Sequence, residues 1–526
     1  MTITDKITDV KELTTWHQNG PYPVDLLYKT RQTGTKDYNT HNETVLEIQK
    51  LLAECKAEGQ RFRAYGSRWS LNDIAFNNAR LHDNNSMKLR LEINPNEVHP
   101  ESPLTNEQLV FVQCGTKINQ LTNWLEKRGR SLRTSGGSNG QSIAGVISTG
   151  VHGGAMKRQG MSDYVKGMHL IIGPDPKDRV YLERSSQKIM KDDYASTLNS
   201  RLIRDDDLFN AALVGLGSFG FIAAVVLEVQ KIFYLKRYIR KIKYDEAIHL
   251  LKTLDFKGST FRIKEETDDN GDPITPYHFK PYINQYTKKC IAEVLYETNE
   301  PPTKPVDFEI EKQLHPDLFR LMQWALDKSN GKIVKLMTKI LQNEVFPNPK
   351  KEYKPVVGSL GDIFHSVPFQ QPGFSWAIGV DHRQIDKAME VFIDIFDEIK
   401  VPGLTAIKLV QQTDSTLGFT KFPLTAVIGL DGLQWPDHVT PWKQTDVERE
   451  IIRAFSLNNI PFTLHWGKNA AWEYPRLVDM MYGDKDDEWR KQRSRLLDPL
   501  MADIFSNDFL RRVGLAGYER NVNIIT

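Results

Sequence analysis

Apolar residues recur along the N-terminal part of the chain at spacings that predict both helices and strands. Between residues 43 and 58 they fall at three- and four-residue intervals, which is the spacing of one helix face, and Gly59 ends the pattern. Apolar runs over 109–115, 165–173 and 221–232 predict buried strands. Because these strands do not alternate regularly with helices, the pattern favours an α+β fold over a parallel sheet.

The pattern changes after about residue 235, which predicts a second domain. Strand-like runs then flank two amphipathic stretches within residues 318–346. These stretches either form a lid or a membrane-touching face, or pack as a helical pair on the sheet of the second domain. The predicted organisation is a first domain over residues 1–235, with its core at about 25–230, a second domain over 236–460, and a C-terminal segment over 461–526.

Composition and charge exclude several classes of protein. The chain has 526 residues, of which 40% are hydrophobic and 26% are charged, and its formal net charge is +2, which argues against a nucleic-acid partner. The three cysteines are widely spaced, which indicates a reducing compartment without a disulfide framework. The first residues lack a signal-peptide pattern, and the longest apolar run, 219–227, is too short for a membrane span. We therefore expect a cytoplasmic protein without an integral membrane segment and without a metal site.

Residues 135–154, SGGSNGQSIAGVISTGVHGG, contain seven glycines and five serines or threonines. Glycine weakens the interiors of helices and strands, so this composition predicts a loop. Bare backbone N–H groups and short hydroxyls are typical of an anion site. The segment therefore predicts a binding site for a phosphate or a pyrophosphate.

A second glycine motif, GLGSFG at 215–220, matches the G-x-G-x-x-G pattern of dinucleotide-binding folds. That fingerprint needs a strand before it and a helix after it. Here a helix-like segment precedes the motif and a β-branched run follows it. We therefore interpret the motif as a turn from a helix into a strand.

Three segments resemble, in this order, the FAD-binding domain of the vanillyl-alcohol oxidase/p-cresol methylhydroxylase (PCMH-type) flavoprotein superfamily. They are RAYGSRWS at 63–70, the glycine-rich segment at 135–154, and LVGLGSFGFIAAVVLEV at 213–229. The chain is most similar to the branch that contains the aldonolactone oxidases, alditol oxidase and the flavin-linked cholesterol oxidase. The resemblance implies an α+β fold with two parts: a PCMH-type FAD-binding domain of two α+β subdomains, and a substrate-binding cap with an antiparallel sheet and helices.

The resemblance also implies which residues hold FAD. The turn within residues 63–70, called the first turn below, and the glycine-rich segment face the pyrophosphate. The backbone near Ile222 faces the adenine end. The implied residues are Tyr65, Gly66, Ser67, Arg68, Trp69, Ser70, Gly136, Gly137, Ser138, Gly140, Gln141, Ser142, Gly145, Ser148, Thr149, Gly150, His152, Gly153, Ile222 and Lys468.

Trp69 is the main departure from the superfamily pattern. Many members carry a histidine at this position, and that histidine bonds covalently to the flavin. An indole nitrogen is a poor nucleophile, so Trp69 cannot form the same link. We expect non-covalent FAD with Trp69 near the dimethylbenzene edge of the flavin, unless a cap residue supplies another tether.

The segment LHWGK at 464–468 resembles the HWxK segment of the aldonolactone and alditol oxidases. The resemblance implies that Lys468 lies near the N1–C2 side of the flavin, where a cation stabilises the charge that reduction brings. His465 is implied to orient the strand or to touch substrate. Judged without the family, His465 is more typical of a structural histidine and Lys468 of a surface lysine.

On the cap, the Glu-x-Arg pair of the sugar oxidases aligns with Ala406 and Lys408, and their His-x-Thr pair falls near Val427 and Gly429. A positive charge therefore remains while sugar-binding groups are missing, which predicts a donor less polar than a polyol. Lys408 is implied to hydrogen-bond the substrate oxygen and to help remove its proton. The alternative is that Lys408 is a lysine of the cap surface.

Together these features predict an FAD-dependent oxidoreductase of a CH–OH donor, an alcohol or a lactone. Hydride passes to flavin N5, and oxygen or another acceptor reoxidises the flavin. Two alternatives stay open: a flavin dehydrogenase or redox-neutral biosynthetic enzyme that reacts poorly with oxygen, and a non-catalytic flavin-binding protein. The expected partners are a small-molecule substrate and an electron acceptor.

Overall fold

Two sheets form the N-terminal half of the protein. The computed structural model describes residues 2–303, 316–329, 332–345, 355–364, 373–434 and 443–519. The four-stranded sheet has the order Thr2–Ile7, Leu26–Gln32, Arg80–Asp83 and Phe62–Tyr65. The six-stranded sheet has the order Arg201–Arg204, Arg179–Glu183, Val165–Ile171, Phe221–Glu228, Leu109–Gln113 and Arg90–Glu92. Helix Tyr38–Glu58 contacts strands of both sheets and joins them into one domain.

The third sheet has eight antiparallel strands and forms the cap. Its order is Val356–Ser359, Tyr234–Ile242, Lys289–Thr298, His278–Asn284, Gly403–Gln411, Leu424–Gly432, Phe374–Asp381 and Phe462–Leu464. Two α+β subdomains below an antiparallel cap are the architecture that the sequence predicts, so the predicted fold class is confirmed.

The helices lie on the faces of these sheets and in the C-terminal segment. They are Tyr38–Glu58, Ile118–Glu126, Ile143–Ser148, Tyr194–Thr197, Asp206–Leu213, Tyr244–Thr253, Pro316–Lys328, Val334–Val345, Leu360–Ile363, Ile385–Glu398, Gln444–Leu457, Leu477–Tyr482, Lys485–Leu496, Pro499–Ile504 and Asp508–Arg512. Two short ribbons pair Glu12–Leu13 with Tyr22–Pro23 and Arg130–Ser131 with Gln230–Lys231. Among the described residues, no helix combines the length and the apolar character that crossing a membrane requires.

The two amphipathic stretches of the cap form the helices Pro316–Lys328 and Val334–Val345. Leu326 and Met337 are buried, and Gln342 Nε2 donates to a backbone oxygen of a cap strand at 3.1 Å. This packing corresponds to the second of the two interpretations, a helical pair on the cap sheet.

The glycine-rich segment is not a loop throughout. Helix Ile143–Ser148 lies within it, and Ile143, Val146 and Ile147 are buried. These apolar residues recur at helical spacing, so their burial outweighs the cost of the glycine between them. The prediction of a continuous loop over 135–154 is therefore wrong at these six residues.

The GLGSFG motif forms the predicted turn between helix Asp206–Leu213 and strand Phe221–Glu228. Leu216 and Gly217 both have left-handed backbones, with φ of 51° and 69°. The motif therefore does not open a helix, as a dinucleotide fingerprint would.

Beyond strand Phe462–Leu464 the chain returns to the N-terminal domain. The fully buried Trp489 donates its indole N–H to the Val214 carbonyl oxygen at 3.2 Å. Asn507 Nδ2 donates to the carbonyl oxygens of Ile74 and Phe76 at 3.0 and 2.9 Å. The C-terminal helices thus pack against the turns that surround the candidate site.

Candidate functional site

A cavity lies between the N-terminal domain and the cap sheet. Its empty volume is about 1900 Å³, counted together with the open mouth. Three parts of the first domain line it: the turn after strand Phe62–Tyr65, the glycine-rich segment, and the turn before strand Phe221–Glu228. Charged residues of the cap and the C-terminal segment complete the wall. The segments that the sequence singled out therefore meet at one place.

Most of the predicted site residues line this cavity. They are Tyr65, Gly66, Ser67, Arg68, Trp69, Ser70, Gly136, Gly137, Ser138, Gln141, Ser142, Gly145, Ser148, Thr149, His152, Gly153, Ile222, Lys408, His465 and Lys468. Gly140 and Gly150 do not line it. Gly150 follows helix Ile143–Ser148 and has a φ of +65°, a left-handed conformation that glycine adopts most easily. The turn of the chain after the helix therefore accounts for glycine at this position.

The first turn and the glycine-rich segment touch each other at Gly66. A Cβ on Gly66 would lie 1.8 Å from Ser142 Oγ, so only glycine permits this approach. On the adjoining residues, Ser67 Oγ and Gln141 Oε1 are buried and lack a hydrogen-bond partner in the part of the chain that the structure describes. Buried polar atoms normally have partners. The residues therefore fit a ligand that offers both donors and acceptors, as the diphosphate and hydroxyl groups of FAD do.

Trp69 is held at the cavity wall by two other rings. It stacks on Trp16 with the ring centres 5.4 Å apart and 9° between the planes, and His17 meets it edge-on at 5.6 Å. His17 also lines the cavity. Burial, followed by the nearby Lys468 ammonium, lowers the pKa of His17 to about 4. A neutral imidazole and a pair of stacked indoles therefore form this part of the cavity wall.

The segment that carries Lys468 is hydrogen-bonded to the end of the first turn. The Leu71 N–H donates to the Gly467 carbonyl oxygen at 2.9 Å. Asn72 Nδ2 donates to the carbonyl oxygens of Trp466 and Lys468 at 2.8 and 2.9 Å. These bonds fix the backbone of Lys468 relative to the first turn.

Lys468 and Asp431 form a charged pair at the cavity. Lys468 Nζ donates to Ser375 Oγ at 2.6 Å and lies 4.0 Å from Asp431 Oδ1. The Ser375 hydroxyl in turn donates to Asp431. Although burial opposes it, Lys468 and the Ser375 hydroxyl hold the pKa of Asp431 below its ordinary value. Asp431 is therefore an anion that orients the Lys468 ammonium.

Lys408 and Ala406 lie on cap strand Gly403–Gln411. Lys408 is paired with Val427, and Ala406 with Gly429, across the neighbouring strand. The structure therefore brings the four aligned positions together on one face of the cap sheet.

The Lys408 ammonium faces the glycine-rich segment. A Cβ on Gly137 would lie 3.6 Å from Lys408 Nζ. Within the described ranges, Lys408 Nζ donates no hydrogen bond. Burial, followed by repulsion from Lys280 and Lys468, lowers the pKa of Lys408 to about 7. Its amine is therefore poised to change charge near neutral pH.

Lys280 is the cross-strand neighbour of Lys408, because the antiparallel pairing of their strands puts the two residues opposite each other. Glu293 Oε2 lies 3.6 Å from Lys280 Nζ, and Glu293 Oε1 lies 2.6 Å from Arg237 Nε. Although burial opposes it, Arg237 and Lys280 lower the pKa of Glu293 to about 2. Glu293 is thus ionised and shared between two cations, while Lys408 forms no ion pair among the described residues and feels Asp431 and Glu293 only at longer range.

His465 lies between His152 and Phe419, with ring centres 5.5 and 5.2 Å away. Its Nδ1 accepts the Gly467 N–H at 3.0 Å. Burial, followed by Lys468, lowers the pKa of His465 to about 3, and burial, followed by Lys408, holds the pKa of His152 well below its ordinary value. Both rings are therefore neutral at physiological pH.

Sequence reasoning missed four polar residues of this site: His17, Lys280, Ser375 and Asp431. Asp431 carried a usable signal, because it follows Val427 and Gly429 at the two-residue period of one strand face. Lys280 and Ser375 carried none, since the pairing of their strands with distant parts of the chain decides their position.

Comparison with known proteins gives a consistent result. Residues 41–175 match a family model described as FAD binding domain. L-gulono-1,4-lactone dehydrogenase of Mycobacterium tuberculosis is 24% identical over 256 residues, which are 49% of this chain and 48% of that protein. D-arabinono-1,4-lactone oxidase of Candida glabrata is 22% identical over 261 residues, which are 50% of this chain and 41% of that protein. The chain thus spans less than half the length of these curated relatives.

The crystal structure of cholesterol oxidase from B. sterolicum is similar to the structure of this protein. The TM-score is 0.68 at 13% sequence identity, and the alignment covers 97% of both chains. At this level of identity the likeness establishes a shared fold.

The contact of the first turn at Gly66 with the glycine-rich segment at Ser142 forms a surface that we call the glycine cradle. Substitution of Gly66 tests its role. Gly66→Ala should weaken FAD binding by roughly tenfold or more, because Ser142 must move away and overpacking costs about 1–3 kcal/mol. Fluorescence titration of the flavin measures the change. The matched control is Gly517→Ala, whose Cβ would meet nothing nearer than Arg490 Cδ at 3.6 Å. Equal affinities for the two variants would contradict the assignment.

Proposed function

Residues 41–175 form an FAD-binding domain of the PCMH-type superfamily, and from that premise we propose that the protein is an FAD-dependent oxidoreductase of a CH–OH donor. The observation that carries the proposal is the cavity in which Lys408 and Lys468 face the glycine cradle. The names of the relatives, lactone oxidases, lactone dehydrogenases and a cholesterol oxidase, support donors of this class.

FAD is the proposed cofactor, held without a covalent bond at Trp69. The backbone N–H groups and hydroxyls around Gly66, Ser67 and Ser142 would receive its diphosphate. Once bound, FAD would supply the hydride acceptor for the donor carbon, and oxygen or another acceptor would reoxidise it.

The proposed location is a reducing compartment, the cytoplasm. The three cysteines, which are free and buried, support this proposal.

Lys468 is the proposed electrostatic catalyst. Its ammonium is fixed by Ser375 and Asp431 before any substrate arrives, so little reorganisation is needed when negative charge develops on the flavin edge. His465 supports this arrangement as a neutral ring that accepts the Gly467 N–H. We assign it the role of shaping the strand and the substrate side of the cavity.

Lys408 is the proposed hydrogen-bond partner and proton acceptor of the donor hydroxyl. A pKa of about 7 leaves an appreciable neutral fraction of its amine at physiological pH, and a general base works best when its pKa lies near the working pH. Repulsion from Lys280 across the strand pair contributes to that pKa.

The donor is proposed to be an alcohol or a lactone less polar than a sugar polyol. Ala406 and Gly429 themselves offer no hydrogen-bonding side chain at the positions between Lys408 and Asp431. Additional substrate hydroxyls would lose their hydrogen bonds to water there without gaining new ones.

The visible spectrum of the purified protein before and after acid precipitation is the first experiment. We expect a flavin spectrum whose colour passes into the supernatant, because Trp69 cannot form the histidine link. Colour that stays in the pellet would contradict non-covalent binding, and a protein that stays colourless with added FAD would contradict the proposed function. The rate at which air reoxidises the reduced flavin then separates an oxidase from a dehydrogenase.

Lys468→Met should slow anaerobic flavin reduction by roughly 10²-fold, because the fixed positive charge is lost. Stopped-flow absorbance with an active donor measures this rate. The control is Lys231→Met, which removes an exposed lysine on a short ribbon outside the cavity. If both variants reduce the flavin equally fast, Lys468 has no electrostatic role.

The rate of flavin reduction should rise with pH through about 7 and then level, because only the neutral Lys408 amine accepts the proton. The pKa values of His278 and His465 lie at about 4 and 3, and that of His152 is also strongly lowered, so these rings do not titrate in this window. Lys408→Met should abolish the rising limb. If the rate of flavin reduction in this variant still rises with pH through about 7, another group is responsible for the rise.

A further inference from the structure

Arg63 and Arg493 are two buried cations without an anionic partner in the described part of the chain. Arg63 is 3% exposed and lines the cavity, and Arg493 is fully buried. The nearby carboxylates of Asp73 and Asp503 are engaged by Arg512 and Arg511 at 2.5 and 3.0 Å. Buried charges without a counter-ion are costly, so this arrangement calls for an explanation.

Backbone carbonyl groups from three separate segments surround the Arg63 guanidinium. It donates to Gly217 and Leu216 at 2.6 and 2.7 Å, to Ile74 at 2.5 Å, and to Phe505 at 3.3 Å. The carbonyl dipoles solvate the charge but do not neutralise it. Arg63 therefore holds together the first turn, the GLGSFG turn and the C-terminal segment.

Arg493 joins two of these same segments. Its Nε donates to the Ser218 carbonyl oxygen at 3.0 Å, a second nitrogen donates to Ala502, and Nη1 is buried without a described partner. Burial, followed by repulsion from Arg493, lowers the pKa of Arg63 to about 9. Residues 499–512 thus supply carbonyl groups to two like charges that repel each other at low dielectric.

The C-terminal segment is also part of the cavity wall. Phe505, which is 2% exposed, lines the cavity beside Arg63, Ile74 and Gly217. Withdrawal of this segment would remove one carbonyl group from Arg63 and open the wall. The same residues therefore control both the charge and the closure of this end of the cavity.

We propose that the diphosphate of the bound cofactor offsets the charge of Arg63 and thereby stabilises the docked C-terminal segment, residues 499–512. This inference rests on the proposed function for the identity of the cofactor. An anion in the cavity attracts the buried guanidinium, and the guanidinium keeps Phe505 in place through its carbonyl group. Cofactor binding and docking of the segment then stabilise each other, as linkage requires. Arg63 is a positioning residue in this scheme.

Amide hydrogen exchange on the full-length protein without flavin tests the proposal. ADP carries the adenosine and the diphosphate of the cofactor, and riboflavin carries the isoalloxazine ring and the ribityl chain without a phosphate, so the two probes separate the ends of the cofactor. Saturating ADP should slow exchange in helices Pro499–Ile504 and Asp508–Arg512 by roughly tenfold or more, as FAD does. Riboflavin should leave these amides unchanged. Equal protection by riboflavin, or bound ADP without protection, would overturn the proposal.

Two variants distinguish a loss of the coupling between cofactor binding and the C-terminal helices from a general loosening of those helices. Arg63→Gln should weaken ADP binding and remove the ADP-dependent protection of the C-terminal helices. Arg61→Gln breaks the surface pair with Asp508 at 3.1 Å, so it should loosen the segment but keep the dependence on ADP. The proposal would be overturned if ADP still slowed amide exchange in the C-terminal helices of Arg63→Gln. If this variant does not fold, the comparison of ADP with riboflavin on the wild-type protein decides. Failure of both FAD and ADP to bind would overturn the proposed cofactor as well, whereas binding without protection would overturn this inference alone.

Discussion

The pairing of strand Phe462–Leu464 with Phe374–Asp381 is the interaction on which the candidate site depends. It attaches the C-terminal segment to the edge of the cap sheet, and three residues later Gly467 accepts the Leu71 N–H from the N-terminal domain. The cap is therefore connected to the first turn by consecutive backbone hydrogen bonds. Because this backbone bond and the two bonds of the Asn72 side chain cross the same boundary, they fix the height of the cap over the glycine-rich segment.

Within that frame, the distribution of charge separates the roles of the lysines. Lys468 and Lys280 each lie beside a carboxylate whose pKa is lowered, Asp431 and Glu293. Lys408 forms no ion pair among the described residues: Asp431 and Glu293 attract its amine only at longer range, and burial together with repulsion from Lys280 lowers its pKa. Two of the lysines thus each lie beside a carboxylate, and the third offers an amine that titrates near neutral pH, although the residue type is the same. Local pairing decides the chemistry of each lysine.

Much of this organisation could be predicted from the sequence. Helix Asp206–Leu213 and strand Phe221–Glu228 follow directly from local periodicity, and their order was enough to exclude a dinucleotide fingerprint at GLGSFG. The resemblance located the glycine cradle because its motifs are contiguous. Helix Ile143–Ser148 does not follow from the composition, because the glycine content of the segment predicts a loop and only three apolar residues at helical spacing indicate the helix.

Residues positioned by long-range pairing could not be predicted in the same way. Lys280 reaches Lys408 only because strand His278–Asn284 pairs with a strand more than a hundred residues later. Ser375 reaches Lys468 through the pairing of Phe374–Asp381 with strands on both sides. No local pattern contains that register, and a shift by one residue would turn each of these side chains to the opposite face of the sheet.

The stack of Trp16 on Trp69 has a consequence for the order in which the protein matures. Gln434 Nε2 donates to the His17 carbonyl oxygen at 3.3 Å, so the N-terminal residues beside the stack also contact the end of a cap strand. The cavity wall is thus assembled from residues near 17, 69, 434 and 505, which leave the ribosome at widely separated times. A partly synthesised chain can form the glycine cradle but cannot enclose a ligand. The cavity can therefore close around a ligand only after the residues near 505 have been synthesised and have docked against the first domain.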